Sequence, residues 1–185
     1  NQKKKYMGNF DNLYIVSPSV WLLNRVQKSF LKNKTLSVIH NGIDTLDIFH
    51  PRASAHLVKK HGLAGKKIIL AVAPGIMDER KGGEWVLKLA SQFDDRYCFI
   101  MIGLDGELHA PPRNVIPIRR TENQIQLAEY YSMADIFLIC SKRENFPTTC
   151  LESLACGTPV IGFDEGGTAE TAPVPYGRFV SYGDL

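Results

Sequence analysis

The sequence predicts an α/β domain with a doubly wound parallel sheet, and two observations carry that expectation. Short apolar runs, NLYIVS, LSVIH, KIILAVAP, YCFIMIG, NVIPI, DIFLIC and PVIGF, are mostly bounded by Gly, Pro, Asn or Asp, as strands buried on both faces are. Between them lie SVWLLNRVQKSFL, GEWVLKLASQF, TENQIQLAEYYSMA and TTCLESLACG, whose apolar residues recur at three and four, the period of a helix. Strand and helix in alternation imply parallel strands with helices packed on the sheet. Ligands of such sheets bind beyond the carboxyl ends of the strands, where loops lead into helices.

At the N-terminus, Lys3 to Lys5 form a basic run, read as a solvated, mobile terminus rather than a contact with an anionic surface. The first strand and helix then run to about Leu31. Asn41 to Arg52, NGIDTLDIFHPR, breaks the rhythm with Asn-Gly and Pro51, as an interdomain connection would. Residues 1–45 are therefore expected to be the end of a neighbouring domain and its link, and residues 46–185 the main domain. The chain starts at Asn1 and stops at SYGDL without an evident terminal helix, which reads as a fragment truncated at its C-terminus.

Composition narrows the partners. With 185 residues, 44% of them hydrophobic, the chain can bury one core. Its 22 basic and 19 acidic residues leave a net charge of +3, too balanced to imply a nucleic-acid partner. Cys98, Cys140, Cys150 and Cys156 form no CxxC and have no His pair at zinc spacing, so reduced, buried thiols are expected. No apolar run approaches the ~18 residues of a membrane span.

Candidate site residues gather at strand-to-helix loops. DIFLIC ends near Cys140, and Pro147 fits the first turn of the following helix, where its missing N–H costs nothing. The amides of Thr148, Thr149 and Cys150 would then face outward as an anion site suited to a diphosphate. Glu144 precedes that start and Glu152 lies a turn or more inside, so one carboxylate is placed for sugar hydroxyls and the other for ribose hydroxyls. The plainer alternative is that Glu144 favours the helix dipole and Glu152 is a solvated face. DEGGTAE, Asp164 to Glu170, again follows a strand, with Gly166 and Gly167 permitting close backbone approach. APGIMDERKGGEW carries Arg80 and Lys81, either a phosphate clamp or a basic pair in a turn. It is not GxGxxG, which counts against an NAD enzyme. In TENQ, Thr121 and Gln124 read as a capping box, and the backbone from Ile118 to Thr121 is placed to hold a base edge.

SKRENFPTTCLESLACGTPVI followed by GGTAE resembles the donor-domain signature of the family-4 retaining glycosyltransferases of the GT-B fold, particularly those that build bacterial capsular or extracellular polysaccharide. IVSPSVWL and VIHNGID look like the end of the acceptor domain and the interdomain link, and ERKG like the phosphate loop. The resemblance implies a Rossmann-like donor-binding domain over residues 46–185. It implies Glu144 on the transferred sugar, Glu152 on the ribose, Lys81 on the diphosphate, backbone amides of Phe146 and Thr148 on sugar hydroxyls, and Thr149 nearer the phosphate. Many members carry an arginine six positions before the lysine; here that place is Gly75, which leaves the clamp to Lys81 and Arg80.

The resemblance further implies a nucleotide-sugar donor, no cofactor and no metal. It implies a glycan or lipid-linked acceptor bound through an N-terminal domain largely outside this sequence, and a cytoplasmic location, with the cytoplasmic face of the membrane left open. On its own this fragment is expected to bind donor without turnover. A GT-B nucleotide-sugar epimerase and a non-catalytic nucleotide-sugar-binding module are the alternatives. A glycosidase fits less well, because its two carboxyls must face each other across a sugar.

Overall fold

The computed structural model describes residues 2–185. A helix α1 (Gln2–Gly8) leads into β1 (Tyr14–Ser17), α2 (Val20–Gln27) and β2 (Thr35–Val38), and β1 and β2 pair in parallel as a two-stranded sheet. After the 41–52 segment come α3 (Ala55–His61), β3 (Lys67–Val72), α4 (Gly83–Ala90), β4 (Tyr97–Ile102) and β5 (Val115–Ile118). Then follow α5 (Gln124–Met133), β6 (Ile136–Ile139), α6 (Thr148–Ala155), β7 (Val160–Phe163), a 3₁₀ turn (Ala169–Thr171) and β8 (Gly177–Val180).

The second sheet has six strands in the order β5-β4-β3-β6-β7-β8, all parallel. The chain builds outward from β3 in one direction, then returns and builds outward from β6 in the other. Crossovers between parallel strands are right-handed, so opposite directions put their helices on opposite faces. Alternate residues obey this geometry. Ile68, Leu70, Ile100, Phe137 and Val160 pack with Leu57 of α3, Tyr131 of α5 and Cys150 of α6. Ala71, Phe99, Met101, Leu138 and Phe163 pack with Val86 and Ala90 of α4. The predicted doubly wound sheet is therefore the observed one. Its direction reverses between β3 and β6, where Ile69 stands opposite Ile136 and Leu70 opposite Phe137. That reversal is the place where such sheets open a crevice.

Several local readings need correction. The helix cap before α5 is Asn123, not Thr121: its side chain accepts from Gln126 N–H at 2.9 Å, and Gln126 Oε1 accepts from Glu122 N–H at 2.9 Å. The pattern of a capping box is present two residues downstream, because Asn123 is the residue held extended, with φ −158° and ψ 179°. Pro147 sits one position earlier than expected, as the extended residue before α6 rather than in its first turn. The lysines at 3–5 fall within α1, which buries no residue, so the basic run is helical and exposed. α3 and β8 have no counterpart in the sequence reading. The 41–52 segment has neither helix nor strand, but it is anchored, because Phe49 is buried beside Leu57 and Tyr131.

Candidate functional site

The site forms where the loop after β3 meets the loop after β6. Gly82 makes the meeting possible. With φ 74° it takes the left-handed conformation, and a Cβ there would lie 2.1 Å from the Cys140 carbonyl oxygen, so only glycine lets the loop rest on the end of β6. Lys142 N–H then donates to the Arg80 carbonyl at 2.8 Å. Next to it Lys81 Nζ pairs with Glu144 Oε1 at 2.7 Å, with their side chains 30% and 19% exposed. Two residues singled out separately are thus one ion pair shielded from much of the solvent.

A cleft of about 280 Å³ opens above this pair, bounded by Pro74, Lys81, Ser141, Glu144, Phe146 and the Thr148–Thr149 start of α6. No side chain caps α6 and its first turn has no acid, so its positive end is unneutralised from within. Among the described residues, the N–H groups of Phe146, Thr148 and Thr149 have no hydrogen-bond partner. The Cys150 N–H is different from expectation: it bonds the Pro147 carbonyl at 3.2 Å, a tight first turn that removes it from the anion site. The cleft continues past Pro74 and Lys81 into a second hollow of about 570 Å³ walled by Leu104 to Leu108. The β5 end adds Pro117 and Arg119 beyond it.

Arg80 does not join Lys81 on the wall of the first cleft but lines the second hollow. Its guanidinium grips Asp78 through two hydrogen bonds of 2.9 and 3.0 Å and is 79% exposed; those bonds hold the Asp78 carboxyl down at about 2. Gly75 holds the left-handed conformation with φ 58°, a backbone that an arginine adopts only with strain.

Glu152 stands a turn inside α6, half-buried, accepting a 3.0 Å hydrogen bond from the Tyr131 hydroxyl. Burial raises its pKa, and the hydroxyls of Tyr131 and Thr148 oppose the rise. Tyr131 is fully buried, and burial followed by the Glu152 charge pushes its own pKa far up. Glu152 is not the solvated face of the plainer reading. Tyr131 was not anticipated; the only trace of it in the sequence is a tyrosine on the inward stripe of EYYSM.

The glycines of DEGGTAE press on the protein's own chain. A Cβ on Gly166 would meet the Glu144 carbonyl at 1.9 Å, and one on Gly167 the Asn145 carbonyl at 2.0 Å and Ser19 at 2.9 Å. Gly167 N–H donates to the Glu144 carbonyl at 2.8 Å. Glu170, also unanticipated as a contact, places its two oxygens 2.7 Å from the N–H groups of Val20 and Trp21 at the start of α2. Thr121 lies on the loop after β5, partly exposed and off the cleft wall. All four cysteines are buried and unpaired, with burial pushing Cys140 and Cys150 up to about 12. No described helix is long and apolar enough to cross a membrane.

Comparison with known proteins agrees with this architecture. Residues 55–173 match the family model for glycosyl transferases group 1. The chain is 26% identical over 160 residues to N-acetyl-alpha-D-glucosaminyl L-malate synthase of Bacillus anthracis, covering 80% of this chain and 41% of that protein. It is 26% identical over 178 residues to alpha-galactosylglucosyldiacylglycerol synthase of Streptococcus pneumoniae, covering 85% and 46%. Among solved structures, sucrose-phosphate synthase of Thermosynechococcus elongatus superposes with a TM-score of 0.80 at 24% identity, over 98% of this chain and 48% of that one. Anabaena HepE in complex with UDP and glucose gives 0.74 at 17% identity, over 95% and 51%. The chain spans less than half the length of the curated relatives it matches. Its sheet is the Rossmann-like half of a GT-B structure, and the chain belongs to the family of glycosyl transferases group 1.

Proposed function

We propose that this chain is the donor-binding part of a retaining glycosyltransferase that takes its sugar from a nucleotide diphosphate sugar. The observation that carries the reading is the convergence of Lys81, Glu144 and the unpartnered amides of Thr148 and Thr149 on one cleft. The length of the trough supports it. Glu144 and the Phe146 amide lie at one end for sugar hydroxyls. Lys81 and the α6 start lie next for the diphosphate, and the 104–108 loop with Pro117 and Arg119 at the end of β5 lies beyond for the nucleoside. Glu152, oriented by Tyr131, takes the ribose diol from the α6 side.

In the reaction the bond from the anomeric carbon to the diphosphate oxygen breaks, the acceptor hydroxyl oxygen bonds that carbon from the same face, and its proton passes to the departing diphosphate. The departing negative charge falls on Lys81 and the two amides, donors already in place before charge develops, rather than on a metal. Glu144 holds the sugar and is not a covalent nucleophile. Residues 1–45 complete the acceptor side with the remainder of that domain, and the acceptor is a glycan or lipid-linked glycan in polysaccharide synthesis at the cytoplasmic side of the membrane.

Titration calorimetry of the chain against a panel of nucleotide sugars tests donor binding, and UDP-glucose is the first choice because a structural relative holds UDP and glucose. Full-length protein should transfer sugar in excess EDTA and keep the donor's anomeric configuration. Inversion, a strict need for magnesium, or sugar conversion by donor alone would overturn the assignment, the last in favour of an epimerase.

A further inference from the structure

The residues just before the main domain reach Phe146, at the sugar end of the cleft, from behind the cleft wall. The His40 ring stacks on Phe146 with centroids 4.6 Å apart and planes 12° from parallel. The neighbouring Asn41 Nδ2 donates to the Phe146 carbonyl at 3.3 Å. Phe146 is buried, and its own N–H has no partner among the described residues. Two consecutive residues of the link therefore grip Phe146 by its ring and by its carbonyl, and through Phe146 they restrain the preceding peptide, which carries the unpartnered N–H. Neither belongs to the cleft wall.

His40 is itself held. Its Nδ1 lies 2.9 Å from the Pro18 carbonyl, and since a carbonyl only accepts, Nδ1 carries the hydrogen. Pro18 leads directly into α2, whose first N–H groups are held by Glu170. Glu170 belongs to the same loop as Gly167, which bonds back to the Glu144 carbonyl. The contacts close a circuit: Phe146 to His40, His40 to Pro18, α2 to Glu170, Gly167 to Glu144, and along the chain to Phe146. A peptide inside a closed circuit has fewer orientations than one on a free loop, and preorganised donors bind what they face more tightly for that reason.

We propose that His40 and Asn41 are positioning residues for the sugar. They act through Phe146, holding its N–H and the adjoining Glu144 carboxylate toward the hydroxyls of the transferred sugar. The inference rests on the donor reading above, and it makes a distinction that reading alone does not. The link should matter more for the sugar than for the nucleotide, because His40 and Asn41 contact Phe146, and neither is hydrogen-bonded to Lys81, Thr148 or Thr149 among the described residues.

The test is calorimetry of the wild-type chain, His40→Ala, His40→Phe and Asn41→Ala with UDP and with UDP-glucose. Hydrogen exchange at the Gly167 amide, which reports opening of the 144–146 loop, accompanies it. The expected result for His40→Ala is UDP affinity within about twofold of wild type, a loss of roughly three- to tenfold in the advantage of UDP-glucose over UDP, and Gly167 exchange faster by a similar factor, the scale of one stacked aromatic pair. Asn41→Ala should shift both readouts in the same sense, and His40→Phe, which keeps the stack but loses the bond to Pro18, should recover part of both. Equal weakening of both ligands, no change in either, or a His40→Phe variant no better than His40→Ala would overturn the positioning role. A wild-type chain that binds neither ligand would overturn the donor reading instead, and Gly167 exchange would then decide the clamp by itself.

Discussion

Lys81 Nζ and Glu144 Oε1 meet at 2.7 Å across the reversal point of the sheet, joining the loop after β3 to the loop after β6. The pair spends one ammonium donor and one carboxylate oxygen on each other. Lys81 keeps two further N–H donors for a diphosphate, and the Glu144 charge beside it opposes the phosphate charge. Glu144→Gln should free Lys81 and raise UDP affinity by about 0.5–1 kcal/mol, roughly two- to fivefold, as expected for loss of a competing, partly exposed ion pair. The same variant should lose the added affinity of UDP-glucose over UDP. Calorimetry with both ligands checks it, and weaker UDP binding in Glu144→Gln would contradict the competition.

Lys81 and Arg80 are adjacent in the chain yet are expected to differ sharply. Lys81→Ala should weaken UDP binding by about 1–3 kcal/mol, the range for a lost hydrogen bond to a charged group. Arg80→Ala should change it far less, because Arg80 is largely exposed and held by Asp78. If Arg80→Ala has the larger effect, Arg80 leaves Asp78 when nucleotide binds.

Glu152 links stability to pH. Burial raises its pKa in the folded chain, so the folded state keeps this proton at a pH where the unfolded chain has released it. Stability from this group is full below the ordinary carboxylate range and declines as pH rises through the raised value. Glu152→Gln keeps an acceptor for Tyr131 without the charge. It should melt above wild type at about pH 8 and close to wild type at about pH 4, while UDP affinity falls by about 1.5–3 kcal/mol through loss of charged hydrogen bonds. Melting curves across that range check the sign; a variant less stable than wild type at the alkaline end would show that the charge is compensated.

Thr149→Pro removes one unpartnered donor from the α6 start while keeping both glutamates. Proline is tolerated in a first helical turn, so the circular dichroism spectrum should match wild type while UDP affinity drops by about 1–3 kcal/mol. Unchanged affinity in the folded variant would place the diphosphate elsewhere.

Gly167→Ala tests the packing of the two loops. Its methyl would meet the Asn145 carbonyl and Ser19, and overpacking of this kind costs about 1–3 kcal/mol. The melting temperature should fall, and UDP-glucose should lose more affinity than UDP, since the displaced segment is the one leading to Phe146. A thermally neutral Gly167→Ala variant would mean that the loops separate without cost.

Sheet and helix were legible because they rest on local periods. KIILAVAP and YCFIMIG become β3 and β4 over Lys67–Val72 and Tyr97–Ile102, since runs that long and apolar are stable only when covered on both faces. Short elements were not. α3 has its stop at Gly62, in the left-handed conformation with φ 65°, but no side-chain cap at its start, and seven residues make a weak period. GRFV of β8 is four residues beginning with glycine, and it acquires its strand character from pairing with β7 rather than from its own propensity. The sequence pattern puts the α5 cap two residues early, because Thr121 and Asn123 of TENQ both present an acceptor near the same helix start, and backbone dihedrals alone choose between them.

The chemical types at the site were likewise present in the sequence by itself: a lysine beside glycines, two glutamates, and a helix start after proline. Which of them face each other was decided by the tertiary structure. Lys81 and Glu144 are 63 positions apart, and they pair because the strand order sets β3 beside β6. Glu170 holds amides 149 and 150 positions away, and His40 stacks on a phenylalanine from another unit of the chain. The physical reason is the range of the two kinds of information. Period, capping and turn preference act over a few residues and repeat, so they can be read along a chain. A contact between loops has no period, and it exists only after the long-range pairing of strands has fixed where each loop ends.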